Sequence, residues 1–203
     1  MTVAAGLGMH MTTVLDEVVQ CWFGGAEPAL MQQPQAKWFR KDAEFDQLLR
    51  QRFASAWQAA MSGQLAMPSV AEPLALLGYI VLTDQLSRNM YRDSAQAFAS
   101  DALALAAARQ LVDAAADQAL PPMARVFVYL PFEHSEQLAD QDVSVALFQT
   151  LASYPHSAEF IDYAQRHRDI IRRFGRFPHR NALLGRPSTP EELAFLQQPG
   201  SSF

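Results

Sequence analysis

The chain has 203 residues, enough for one domain with a full hydrophobic core. Half of them are apolar and 18% are charged, which excludes a disordered or fibrous chain. The 16 basic and 21 acidic residues leave a net charge of −5, which argues against general nucleic-acid binding, and the single cysteine, Cys21, excludes an internal disulfide framework and fits a reducing compartment.

Ala (33) and Leu (23) far outnumber Val (11), Ile (4) and Thr (6), so the expected fold is all-α. Residues 1–12 are small, apolar and unpatterned, and read as a flexible extension before a single helical domain over residues 13–203. Thr13 can cap a first helix with Asp16 three residues on, and Gly24-Gly25 stops it. In a second helix, over residues 42–61, Phe45, Leu49, Phe53 and Trp57 recur every four residues. Pro73 opens a third that runs to about Tyr91, and a fourth starts at Ser100-Asp101 and continues to about Gln118. Pro121-Pro122 opens a fifth, which Pro131 kinks or ends near Phe132. Ser135 can cap a sixth over residues 136–153, and a seventh covers residues 157–174, stopped by Gly175. Residues 175–188 read as an ordered loop, and Thr189-Pro190-Glu191-Glu192 carries a cap, a Pro at the first helical position and a Glu at the third. These are about eight helices with short connections, which predicts antiparallel helical hairpins.

No segment reads as an address or an anchor. The first basic residue is Lys37, so the N-terminus lacks the basic region of a signal peptide, and the longest apolar run, residues 74–82, is about half a membrane span. A cytoplasmic protein without a membrane partner is expected.

Three places put polar groups where apolar ones belong. On the third helix, the stripe of Leu77 and Val81 continues into Asp84, Arg88 and Arg92, with Gln85 and Asn89 alongside. Asp84 and Arg88 are four apart and can pair, and if the stripe stays buried those charges must meet each other or a ligand. The alternative is a helix end emerging into solvent. His134-Ser135-Glu136 follows the apolar run 126–132. Ser135 and Glu136 fit a helix start, but His134 sits where an apolar residue is expected. On the seventh helix, His167 interrupts the stripe Phe160, Tyr163, Ile171, Phe174, as a core histidine or a ligand-binding one. Asp169 and Arg173, four apart there, can form a solvated pair.

Residues 166–186 hold seven arginines, no lysine and one acid. Arg168, Arg172, Arg176, His179, Arg180 and Asn181 lie in this stretch. Guanidinium forks suit carboxylates and phosphates at any working pH. The alternative is a basic surface that docks on acidic parts of the same chain, such as residues 133–142.

The segments DQLSRNMYR (84–92), YLPFEHSEQLADQ (129–141) and HRDIIRRFGRFPHRNALLGRPSTPEE (167–192), with CWFG (21–24) and KWF (37–39), closely resemble an uncharacterised bacterial family, domain of unknown function 924. The resemblance covers residues 14–196. It implies an all-helical fold similar to tetratricopeptide-repeat proteins and no established reaction. One departure is Leu86, where the family pattern has Phe.

His134, Glu136, His167 and His179 are acceptable metal-ligand types, but no HExxH and no close histidine pair on a helix occurs, so no metal centre is expected. No GxSxG, Walker A or GxGxxG motif is present, and no nucleotide cofactor is expected. Two functions remain. The first is an inter-helix pocket for a small anion. Asp84, Gln85, Arg88, Asn89, Arg92, His134, Ser135, Glu136, His167, Arg168, Arg172, Arg176, His179, Arg180 and Asn181 are its candidates, with His134, Glu136 and His167 for acid–base work. The second is a tetratricopeptide-like scaffold for a peptide or partner protein.

Overall fold

The computed structural model describes residues 13–201. Among them every regular element is helical: α1 Val14–Phe23, α2 Pro28–Met31, α3 Ala43–Met61, α4 Pro73–Ile80, α5 Ser87–Met90, α6 Asp101–Asp113, α7 Pro122–Glu133, α8 Leu138–Gln149, α9 Ser157–Phe174 and α10 Pro190–Leu196. The extension expected over residues 1–12 lies outside the described residues.

Local capping chemistry fixes several boundaries where the sequence places them. Thr13 and Asp16 form a reciprocal capping box on α1, Gly24 closes that helix in the left-handed conformation, and Gly175 closes α9 in the same way. Thr189 and Glu192 form a second box on α10.

Other boundaries move because a tertiary contact outweighs the local signal. The fourth helix stops at Asp113 and does not reach Gln118: Ala115 turns left-handed, and Asp117 in the following 3-10 turn accepts the Tyr129 hydroxyl at 2.7 Å. The sixth begins at Leu138, not Glu136. Ser135 does not cap that helix: its hydroxyl donates to Asp140, and Gln141 donates its side-chain amide to the Glu133 and Ser135 carbonyls, which holds residues 134–137 as a turn. Pro131 stays inside α7, which runs on to Glu133 with His134 as its C-cap.

The third helix is one rod from Pro73 to Met90, but residues Val81–Leu86 in its middle are wound as a π-helix between α4 and α5. This rod lies at the centre, contacted by α1, α3, α6 and α7, which explains why residues 76–82 are buried on every side. Gly78 is required where α1 crosses it, since a Cβ there would lie 2.7 Å from the Leu15 carbonyl oxygen. The CWFG and KWF segments brace one end: Lys37 donates to the Cys21 carbonyl at 2.7 Å, and the Trp38 indole donates to the Trp22 carbonyl at 2.9 Å. Rings of Trp22, Phe23 and Trp38 pack around Phe127. A smaller apolar cluster of Ile170, Ile171 and Phe177 holds the loop after α9, with Phe174 and Phe195 against it.

Candidate functional site

The π-helical turn shifts the helical register by one residue and points Asp84 into the protein, where it is fully buried. Its Oδ1 meets His134 Nδ1 at 2.7 Å and Arg88 Nη1 at 3.1 Å, and its Oδ2 accepts the Gln85 amide at 2.6 Å. Burial works against the carboxylate, but the charge of Arg88 and the hydrogen bonds of His134 and Gln85 outweigh it and hold Asp84 ionised, far below the ordinary range. Arg88 also clasps Asp101, at the start of α6, through two bonds of 2.8 and 3.1 Å. An ionised Asp84 fixes the His134 tautomer, with the proton on Nδ1 and Nε2 left as the basic nitrogen. Burial and then Arg88 push the His134 pKa down, so the ring is neutral near pH 7.

The loop after α9 closes the site from the other side. Arg180, only 6% exposed, lies between the Phe98 and Phe177 rings, its guanidinium carbon 4.7 and 4.4 Å from their centroids. Its Nη1 donates to the His134 carbonyl at 3.0 Å, at the negative end of α7, while its buried Nε finds no acceptor among the described residues. Burial and then the like charge of Arg88 lower its pKa to about 10. Glu136 ties the loop down, accepting the Phe177 backbone N–H at 2.8 Å and two Arg186 bonds at 2.7 and 2.9 Å.

Behind His134, at 6.4 Å between ring centroids, lies His167. Its Nδ1 donates to the Tyr163 carbonyl at 2.9 Å and lies 3.1 Å from Glu133 Oε1. Burial dominates both partners: it takes His167 down to about 3 and, with the charge of Asp84, pushes Glu133 well above the ordinary value, so the imidazole is uncharged near pH 7 and the contact is not an ion pair. His179 lies 5.7 Å from Phe177 and is lowered to about 4, first by burial and then by Arg180.

His134, Glu136, Arg180, Phe98 and Asp101 border a cleft of about 370 Å³, and the other groups lie behind them. Asp101, His134, Ser135, Glu136 and Arg180 are its polar lining residues, and Phe98, Ala102, Leu105, Pro131 and Leu184 are apolar ones.

The structure therefore gathers Asp84, Gln85, Arg88, His134, Glu136, His167, His179 and Arg180 from four separate stretches of chain, with Ser135 at the rim. The other candidates are engaged elsewhere. Asn89 and Arg92 both bind Asp46 on α3. Arg168 and Arg172 pair with Asp142 on α8. Arg176 and Asn181 bind Glu192, which Arg176 first of all lowers to about 2. Arg173 pairs with Glu191 at 2.9 Å, not with Asp169. All seven arginines of the basic stretch have a carboxylate of this chain within 4 Å. The basic segment thus docks on its own acidic surface, and only Arg180 of the seven borders the cleft.

Asp101, Glu133, Phe98, Phe177 and Arg186 were not legible as site residues. Asp101 reads as an ordinary first-turn acid, and Phe98 and Phe177 carry no polar signal. Glu133 did leave a trace, as the one acid ending an apolar run. Among the described residues, no three His, Cys, Asp or Glu side chains are grouped as metal ligands.

A family model described as "Bacterial protein of unknown function (DUF924)" matches residues 18–200. A solved structure of a protein of unknown function from Agrobacterium tumefaciens is 37% identical, covers 91% of this chain and 97% of its own, and superposes with a TM-score of 0.77. No curated protein matches the chain.

Proposed function

For a chain that belongs to the bacterial family DUF924, which carries no assigned reaction, we propose that the cleft binds a small carboxylate- or phosphate-bearing molecule and that His134 exchanges a proton with it. One observation carries this reading: an imidazole oriented by a buried carboxylate borders the same 370 Å³ cleft as a guanidinium held between two aromatic rings. The Asp84–His134 pair supplies a base of fixed tautomer. Arg180 supplies a positive group held rigidly between two rings, which needs no reorganisation when charge develops nearby.

Melting curves in inorganic phosphate, acetate and benzoate test the proposal. An occupied site is expected to raise the midpoint by about 3–6 °C at ten times the dissociation constant, and His134→Gln to reduce that rise. No shift with any of them at millimolar concentration would remove the anion site.

A second reading, a tetratricopeptide-like scaffold for a peptide, draws support from the succession α6 to α9, each helix packed on the next. A groove of about 230 Å³ bordered by Met123, Leu151, Tyr154 and Phe160 would receive the peptide. Peptide capture there, with a cleft indifferent to anions, would favour it. Cytoplasmic residence belongs to the same proposal. It is supported by the bacterial family and by the finding that no helix among the described residues is long and apolar enough to cross a membrane.

A further inference from the structure

We infer that the cleft selects a monoanion with an apolar body, an aliphatic or aromatic monocarboxylate, over phosphates and polycarboxylates. This inference rests on the anion reading above and narrows it.

The first support is the balance of charge. Arg88, Arg180 and Arg186 face Asp84, Asp101 and Glu136, each cation within 4 Å of one of these carboxylates. The cluster is therefore neutral before anything binds. Burial lowers His167 to about 3 and His179 to about 4, so neither adds a positive charge near neutral pH, and it pushes Glu133 toward its uncharged form. The one group at the cleft surface able to supply a positive charge is His134, by taking a proton on Nε2. A single proton balances a single negative charge. A dianion would leave an uncompensated charge beside Asp101 and Glu136, in a partly desolvated place where that is costly.

The second support is shape. The lining mixes the polar groups with the apolar side chains of Phe98, Ala102, Leu105, Pro131 and Leu184. A ligand that met only the polar groups would leave those apolar side chains wet. A cleft of about 370 Å³ is of the size that takes a ligand larger than an isolated phosphate or acetate. An apolar body of that size excludes water from the guanidinium and the imidazole and strengthens both contacts.

The test compares hexanoate, benzoate, acetate, inorganic phosphate and citrate by melting shift and calorimetry on the full chain at pH 7. Hexanoate and benzoate are expected to bind about tenfold or more tightly than acetate, with phosphate and citrate weaker still. Calorimetry in two buffers of different ionisation enthalpy is expected to show about one proton taken up per hexanoate bound. Leu184→Ser lies at a position 38% exposed, so the fold is expected to tolerate it, and it should weaken hexanoate while leaving acetate unchanged. Phosphate or citrate binding more tightly than hexanoate would overturn this inference and leave the anion site standing. Equal binding of acetate and hexanoate, or no proton uptake, would overturn it in the same way. Silence from all five would remove the anion site itself.

Discussion

Asp84 holds Arg88 and His134 at once, so its replacement separates structure from chemistry. Asp84→Ala strands two buried partners and is expected to cost about 3–5 kcal/mol in urea unfolding. On sequence alone, Arg88→Ala reads as a binding change with little effect on the fold. The bonds of Arg88 to Asp101 and the Asp84 carbonyl reverse that expectation, and a comparable loss of stability should accompany it. The Glu133–His167 pair sets a pH profile. His167 titrates near 6.5 when unfolded and near 3 when folded, so its contribution is complete above pH 6.5 and is lost as pH falls toward 3, by about 1.4 kcal/mol per unit. Glu133 acts in the opposite direction. Its folded pKa lies well above 4.5, so stability declines as pH rises past 4.5, where the unfolded chain releases a proton that the folded one keeps. Above 4.5 and below 6.5 the two act in opposite directions. Glu133→Gln should leave the His167 contribution unopposed, so that urea midpoints rise more steeply from pH 4.5 to 6.5, and an unchanged profile would mean that Glu133 is ionised in the folded protein.

At the scale of the element, packing of the central rod decides most of the architecture. Gly78→Ala would drive a methyl against the Leu15 backbone, where no flexible side chain can yield, and is expected to cost about 1–3 kcal/mol by thermal unfolding. At the C-terminal end, Thr189→Ala removes one half of a capping box and should cost about 1 kcal/mol, read as earlier loss of α10 in hydrogen exchange. Helices with complete local signals, α1, α3, α9 and α10, start or stop where their caps indicate. The helix beginning at Leu138 did not obey its Ser-Glu signal, because Glu136 is drawn 41 residues along the chain to the Phe177 N–H.

For the whole molecule, the arginine-rich loop is a strap across the cleft, anchored by Glu136 and Glu192. Arg176 and Arg180 are sites for trypsin, yet each guanidinium is bonded to the body of the chain. Glu136→Ala should release the strap and make it the first site of tryptic cleavage, while the wild-type loop resists. Equal cleavage of the two would show that Glu136 does not hold it.

The sequence by itself determined the helical class, most helix ends and the Asp84–Arg88 pair, because caps, periodicity and four-residue spacing act within a few residues of one another. It also marked His134 and His167 as polar interruptions of apolar faces. Only the tertiary structure decided which guanidinium borders the cleft. Seven arginines look alike in sequence, and their acids lie anywhere from three residues away, as in Arg172 and Asp169, to 79, as in Arg180 and Asp101. Helical periodicity says which way a side chain faces and nothing about what faces it. Asp101 and Glu133 entered the site, and Asn89, Arg92, Arg168, Arg172 and Arg176 went elsewhere, through packing between elements that no local spacing encodes.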